Sequence, residues 1–171
     1  IEVRDILSLL RLLDNQQQDI PMAAVLRSPL AKLPNADDCL ARVRLAHRNK
    51  QIPFHRAVVE YSHHGGDEIA ASLRGFLDDL AKWRLLAHRR PLAEVLWQIY
   101  DETGYLAFCA GLEDGEQRVA NLIALHERAR QFGTFQRQGR NRFSQFVKNL
   151  QEQSDLGQQS VAAPAVGRRI G

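Results

Sequence analysis

At 171 residues, with 44% hydrophobic and 25% charged side chains, the sequence has the make-up of one globular domain, or of one domain with a small appendage, and excludes a disordered or fibrous chain. A formal charge of +3 and a pI near 9.1 are compatible with an anionic partner, yet three surplus charges over this length do not alone make a nucleic-acid binder. No run approaches the roughly 18 consecutive apolar residues of a membrane span, and Glu2, Arg4 and Asp5 stand where a signal peptide would be apolar, so a soluble cytoplasmic protein with no membrane partner is expected.

Cys39 and Cys109 sit far apart and lack the C-x-x-C spacing of a metal or redox site, which fits a reducing compartment. The chain opens on Ile1, and its one methionine, Met22, lies inside an apolar helical pattern; the expectation is a piece of a longer protein.

Val3, Ile6, Leu7, Leu10 and Leu13 recur at helical spacing and give a first amphipathic helix that stops at the polar run from Asp14 to Asp19. Pro21 suits the first turn of a short second helix through Met22, Val25 and Leu26, which Pro29 closes. Asn35, with Asp38 three residues on, predicts the cap of a third helix, and Phe54, Ala57, Val58 and Tyr61 form the stripe of a fourth, ended by Gly65 and Gly66. The longest pattern, Ile69, Leu73, Phe76, Leu80, Trp83 and Ala87, runs from Asp67 to Arg90 and is expected to organise the core before Pro91 restarts the chain. Leu92, Val95, Leu96 and Ile99 mark the next helix, with Gly104 at its left-handed cap and a short apolar stretch from Tyr105 to Cys109. Val119, Leu122, Ile123, Leu125, Ala129 and Phe132 give another long helix. After a predicted loop from Gly133 to Gly139, Phe143, Phe146, Val147 and Leu150 give the last one.

No stretch alternates strictly between flanking turn signals, so the expected fold is all-α, an irregular orthogonal array of about seven to nine helices. The helical domain is expected over 1–157, with irregular chain from Asp155 onward and a tail over 158–171.

Motifs that carry chemistry are mostly absent. There is no G-x-x-x-x-G-K-[ST] loop to cradle phosphates, no H-E-x-x-H, no G-x-S-x-G and no Glu-x-Lys after an upstream Asp. His63 and His64 point roughly 100° apart on a helix and read as a solvated helix end. Asp78 and Asp79 diverge in the same way, with Lys82 placed to pair with Asp78, and Cys109 reads as core between Phe108 and Ala110.

Three basic stretches remain: Arg42, Arg44, His47, Arg48 and Lys50; Lys82, Arg84, His88, Arg89 and Arg90; and Arg137, Arg140 and Arg142 with Phe135 and Phe143 between or beside them. Arginines in a Gly-containing loop beside aromatics can clamp phosphates and stack on bases, while the same residues can equally be a solvated loop whose phenylalanines turn inward.

The stretch from Arg4 to Asn15 (RDILSLLRLLDN), followed by Asp19 to Leu30 (DIPMAAVLRSPL), resembles UvrD-like superfamily 1 helicases and most of all the AddA-type subunit of bacterial helicase-nucleases. Pro91 to Tyr105 (PLAEVLWQIYDETGY), Gly115 to Leu122 (GEQRVANL) and Arg128 to Phe132 (RARQF) agree. The resemblance covers most of the chain to about Gly157 and implies the helical 2B insertion of the second motor domain, ahead of a T-I-H-x-S-K-G motif that is missing here. It implies a parent that uses ATP and Mg to move on single-stranded DNA and resects broken ends for recombinational repair beside an AddB-type subunit. The resemblance places the parent's nucleotide and nuclease motifs outside this piece, in which no cofactor or catalytic residue is therefore expected.

Several related motors touch duplex phosphates through a G-I-G turn, but the equivalent stretch here, Arg27 to Pro34 (RSPLAKLP), has no glycine pair. Three roles stay open. One is a noncatalytic subdomain that positions duplex DNA or braces motor and partner subunits. A second is an autonomous DNA-binding module, which should gather the basic stretches on one face and bind with steep salt dependence. The third is a structural interaction domain with an exposed apolar patch. Arg137, Arg140, Arg142 and Arg27 are the DNA-binding candidates, and Arg118 and Asn121 suit capping or buried polar bracing.

Overall fold

The computed structural model describes residues 1–135 and 142–161. Among them all regular structure is helical, with no strand: α1 (Glu2–Asp14), α2 (Asp19–Arg27), a short 3-10 turn (Pro29–Ala31), α3 (Ala36–Ala46), α4 (Phe54–His64), α5 (Glu68–Ala87), α6 (Leu92–Thr103), α7 (Tyr105–Ala110), α8 (Gly115–Phe135) and α9 (Arg142–Val161). The all-α multi-helix array expected from the spacing is therefore the observed fold.

α1 is apolar around most of its circumference, with Ile6, Leu9, Leu10, Leu12 and Leu13 all buried. A helix of that kind must be covered on several sides, and α2, α5, α8 and α9 all pack against it. The α5 stripe joins the same core through Leu73, Phe76, Leu80, Trp83 and Ala87. Each large apolar side chain so buried contributes roughly 1.5–3 kcal/mol.

Local chemistry sets the turns. Ser28 closes α2 by donating to the Val25 carbonyl (2.7 Å) and accepting from the Leu30 N–H (3.3 Å), which fixes the turn that Pro29 begins. Asp67 caps α5 by accepting from the Ala70 N–H (2.9 Å). Gly104 takes the left-handed conformation (φ 65°) that lets α6 end and α7 begin at once. At Gly115 a side chain is impossible, because a Cβ would lie 2.1 Å from the Ala110 carbonyl oxygen.

The short apolar stretch after Gly104 forms α7. Three local expectations need correction. Asn35 occupies the cap position of α3 but is itself left-handed (φ 50°), and its side chain donates to Asp38 (3.3 Å) instead of capping the helix; asparagine tolerates that conformation better than most residues. Gly133 lies inside α8, which continues to Phe135, since the space beside its Cα is open and glycine there costs only its intrinsic propensity. α9 continues past Asp155 to Val161, through glutamines of good helix propensity. Residues 162–171 of the expected tail lie outside the described residues.

Candidate functional site

Arg27 ends α2 and is exposed, but its Nε donates to Asp37 at the start of α3 (2.7 Å), an arrangement that ties the two helices together. Arg137 and Arg140 lie outside the described residues, and Arg142 opens α9. Phe143 is buried, so this phenylalanine anchors the helix and is not presented for stacking on a base.

The other basic stretches are partly engaged with the protein itself, while Arg42, Arg48, His88 and Arg89 are exposed. In the first, His47 is buried against the Val43 carbonyl (2.9 Å) with Glu60 3.6 Å away, Lys50 pairs with Glu60 (2.8 Å), and the Arg44 guanidinium sits 5.5 Å from the centre of the Phe54 ring. In the second, Arg84 donates to the Leu13 carbonyl (3.1 Å) and Arg90 pairs with Glu94 (3.3 Å). Lys82 pairs with Glu102 of α6 (2.7 Å) and not with Asp78, because a partner across the helix interface offers a carboxylate already held in place. Asp78 and Asp79 are exposed, as are His63 and His64. Among the described residues no three His, Cys, Asp or Glu side chains gather where a metal ion could be held. Cys109 is buried as expected, and burial pushes its thiol up; its neighbour Phe108 instead faces solvent.

Two polar networks stand out. Glu2, almost fully buried, accepts from Arg118 (2.9 Å) and Asn121 (2.9 Å) of α8. The Asn121 amide does most to hold the Glu2 carboxyl low, at about 2. Beside it the Tyr105 hydroxyl donates to Asp5 (2.9 Å), whose carboxyl is raised by burial. Arg118 and Asn121 thus brace α8 against α1. In the second network Glu102 accepts from Lys82 (2.7 Å), Trp83 Nε1 (2.8 Å) and Gln98 (2.8 Å). Burial pushes its carboxyl up, but those three donors outweigh burial and bring it to about 2. A third anchor, Asp19, accepts from the Phe54 and His55 N–H groups (2.9 and 3.0 Å), and so caps α4 where Pro53 offers no side-chain acceptor.

An open groove of about 1090 Å³ lies between α6 and α8, with Leu86, Arg90 and Pro91 also in its lining. Ala93, Ala129 and Gly133 lie along it, and Trp97, 52% exposed, stands in it with its ring edge-on to His126 (5.3 Å between centroids). Arg90 is among the residues singled out by the basic stretches of the sequence, whereas Trp97 is not. The signal was present: the buried stripe Leu92, Val95, Leu96, Ile99 passes Trp97 by, and a tryptophan off the buried stripe faces outward.

No protein-family model matches the chain. It is similar to the AddA-type subunits of bacterial ATP-dependent helicase/nucleases: 46% identical over 166 residues to that of Desulforudis audaxviator (97% of this chain, 13% of the relative) and 45% over 151 residues to that of Pelotomaculum thermopropionicum (88% and 12%). The relative from Moorella thermoacetica is 38% identical over 91% of this chain. The chain spans only 12–15% of the length of these relatives. Over nearly its whole length the chain therefore belongs, by sequence, with one segment of the AddA family of bacterial ATP-dependent helicase/nucleases.

Proposed function

We propose that this chain is the noncatalytic helical 2B-like subdomain of an ATP-dependent DNA helicase-nuclease of double-strand break processing, and that it braces the motor and an AddB-type partner subunit in the cytoplasm. The observation that carries the reading is the match of 88–97% of the chain to a short stretch of proteins named for an ATP-dependent helicase/nuclease. Two features of the geometry support bracing over autonomous DNA binding: Arg27, Lys50, Lys82, Arg84 and Arg90 are engaged by acceptors of the protein itself, and an apolar groove with an exposed tryptophan lies open. ATP and Mg are expected in the parent. The described residues do not fit either, since they offer no phosphate-cradling loop and no cluster of metal-ligating side chains.

The duplex-positioning reading keeps one specific support, the arginines Arg137, Arg140 and Arg142 in a stretch of three cations within six residues. Titration of a fluorescent duplex with a single-stranded tail separates the two. Bracing predicts no binding at near-physiological salt and little at low salt. Micromolar binding that falls with salt and disappears on changing all three arginines to alanine overturns it in favour of positioning. In a full-length AddA-type protein with its partner, Arg118→Ala loosens the array without removing a solvated cation, and should lower partner retention and unwinding together; unchanged retention overturns bracing.

A further inference from the structure

The α6–α8 groove is more specific than an apolar patch. On α6, Glu94, Trp97, Gln98 and Asp101 follow one another at the spacing of a single face, and on α8 His126, Ala129, Arg130 and Gly133 do the same. α6 and α8 pack together, and the small residues Ala93, Ala129 and Gly133 line the groove between them, as in grooves that receive a helix. A Cβ built at Gly133 would meet no atom within 4 Å, so the groove has space beside that residue. From Arg90 to Glu102 the channel runs about 18 Å at 1.5 Å per residue, the length of a helix of about three turns.

Its charge selects the occupant. Three carboxylates, Glu94, Asp101 and Glu102, face two arginines along the lining, and each arginine has its own acidic partner, Arg90 with Glu94 (3.3 Å) and Arg130 with Glu127 (2.6 Å). Glu102 is likewise occupied by Lys82, Trp83 and Gln98. Asp101 has no ion pair or side-chain hydrogen bond among the described residues, and it lies one turn from Trp97 on the same face. An indole face beside an unneutralised carboxylate is a receptor for a guanidinium or ammonium group. The excess of carboxylates disfavours a phosphate backbone.

We propose that this groove takes an amphipathic helix whose aliphatic face carries one arginine or lysine, the cation lying over Trp97 and pairing with Asp101. The inference deepens the bracing role and rests on it only for which assembly supplies the helix.

A labelled helical peptide of about 14 residues, leucine and alanine on one face with a central arginine, is titrated against the chain by fluorescence anisotropy, beside the same peptide with glutamate at that position. The arginine peptide should bind, the glutamate peptide about tenfold more weakly, and Trp97→Ala should weaken binding about tenfold. Asp101→Lys should reverse the preference between the two peptides. Both side chains are exposed, so circular dichroism should be unchanged; if Trp97→Ala fails to fold, the Asp101 charge swap still decides. Equal binding of both peptides, no effect of either substitution, or a concentration-dependent dimer lost in Trp97→Ala, which would make a second copy the occupant, overturns the proposal. None of these results touches the bracing role, which is read on tailed duplex and on the full-length protein.

Discussion

The two tryptophans stand on adjoining helices and have opposite fates. Trp83 of α5 is 1% exposed, and its indole N–H reaches the Glu102 carboxylate at 2.8 Å. Trp97 of α6 is 52% exposed, touches His126 and Tyr100 edge-on, and stands in a groove. A buried indole needs an acceptor for its N–H, and Glu102 supplies one while also holding Lys82 and Gln98, so the sealed tryptophan is a structural centre. The open one stabilises nothing inside the fold in proportion to its size. Under the docking proposal, its exposed ring and Asp101, which has no ion pair among the described residues, act on a partner and not on the fold.

Breaking the sealed side should have the largest effect. Trp83→Ala removes a fully buried ring and leaves Glu102 short of a donor, and should cost about 3–5 kcal/mol of stability in chemical denaturation; a loss under about 1 kcal/mol would place Trp83 outside the core. Next comes the other braced end. Arg118→Ala leaves the Glu2 carboxylate buried with one strong donor fewer and should cost about 3 kcal/mol by the same measurement. A partial recovery on adding Glu2→Gln would assign that cost to the stranded charge.

Acid should act on both networks together. The carboxyls of Glu2 and Glu102 are held at about 2, below their ordinary value of 4.5, so their contribution is fully present above 4.5 and is lost as the pH falls from there toward 2. Thermal melts across that window should show a falling Tm, and Glu102→Gln should flatten part of the slope. At the small end stand the exposed groups. Trp97→Ala and Arg27→Ala should each change stability by less than about 0.5 kcal/mol, the second because the Arg27–Asp37 pair is largely solvated. A loss near that of Trp83→Ala for Trp97 would erase the contrast between the two.

Much of the fold was legible because helices announce themselves locally. Pro21, Pro29, Pro91 and Gly104 act on their own backbone, and a 3.6-residue apolar period records which face of a helix is covered, so the all-α class and most boundaries could be read directly. The boundaries that slipped are at Gly133, where nothing crowds the weak helix former, and at Asp155, where α9 runs on to Val161. The site was less legible. Arg118 and Asn121 could be marked as bracing, but their partner Glu2 is 116 and 119 residues away in sequence. Lys82 offered Asp78 at the correct helical spacing and took Glu102 instead.

The sequence by itself determined that this chain is helical, where most helices start and stop, and which family it belongs with, since these follow from local backbone preferences and from residue order. Only the tertiary structure decided which acid each base found and which tryptophan was sealed. Those choices depend on distances between helices brought together by packing, which residue order does not encode locally.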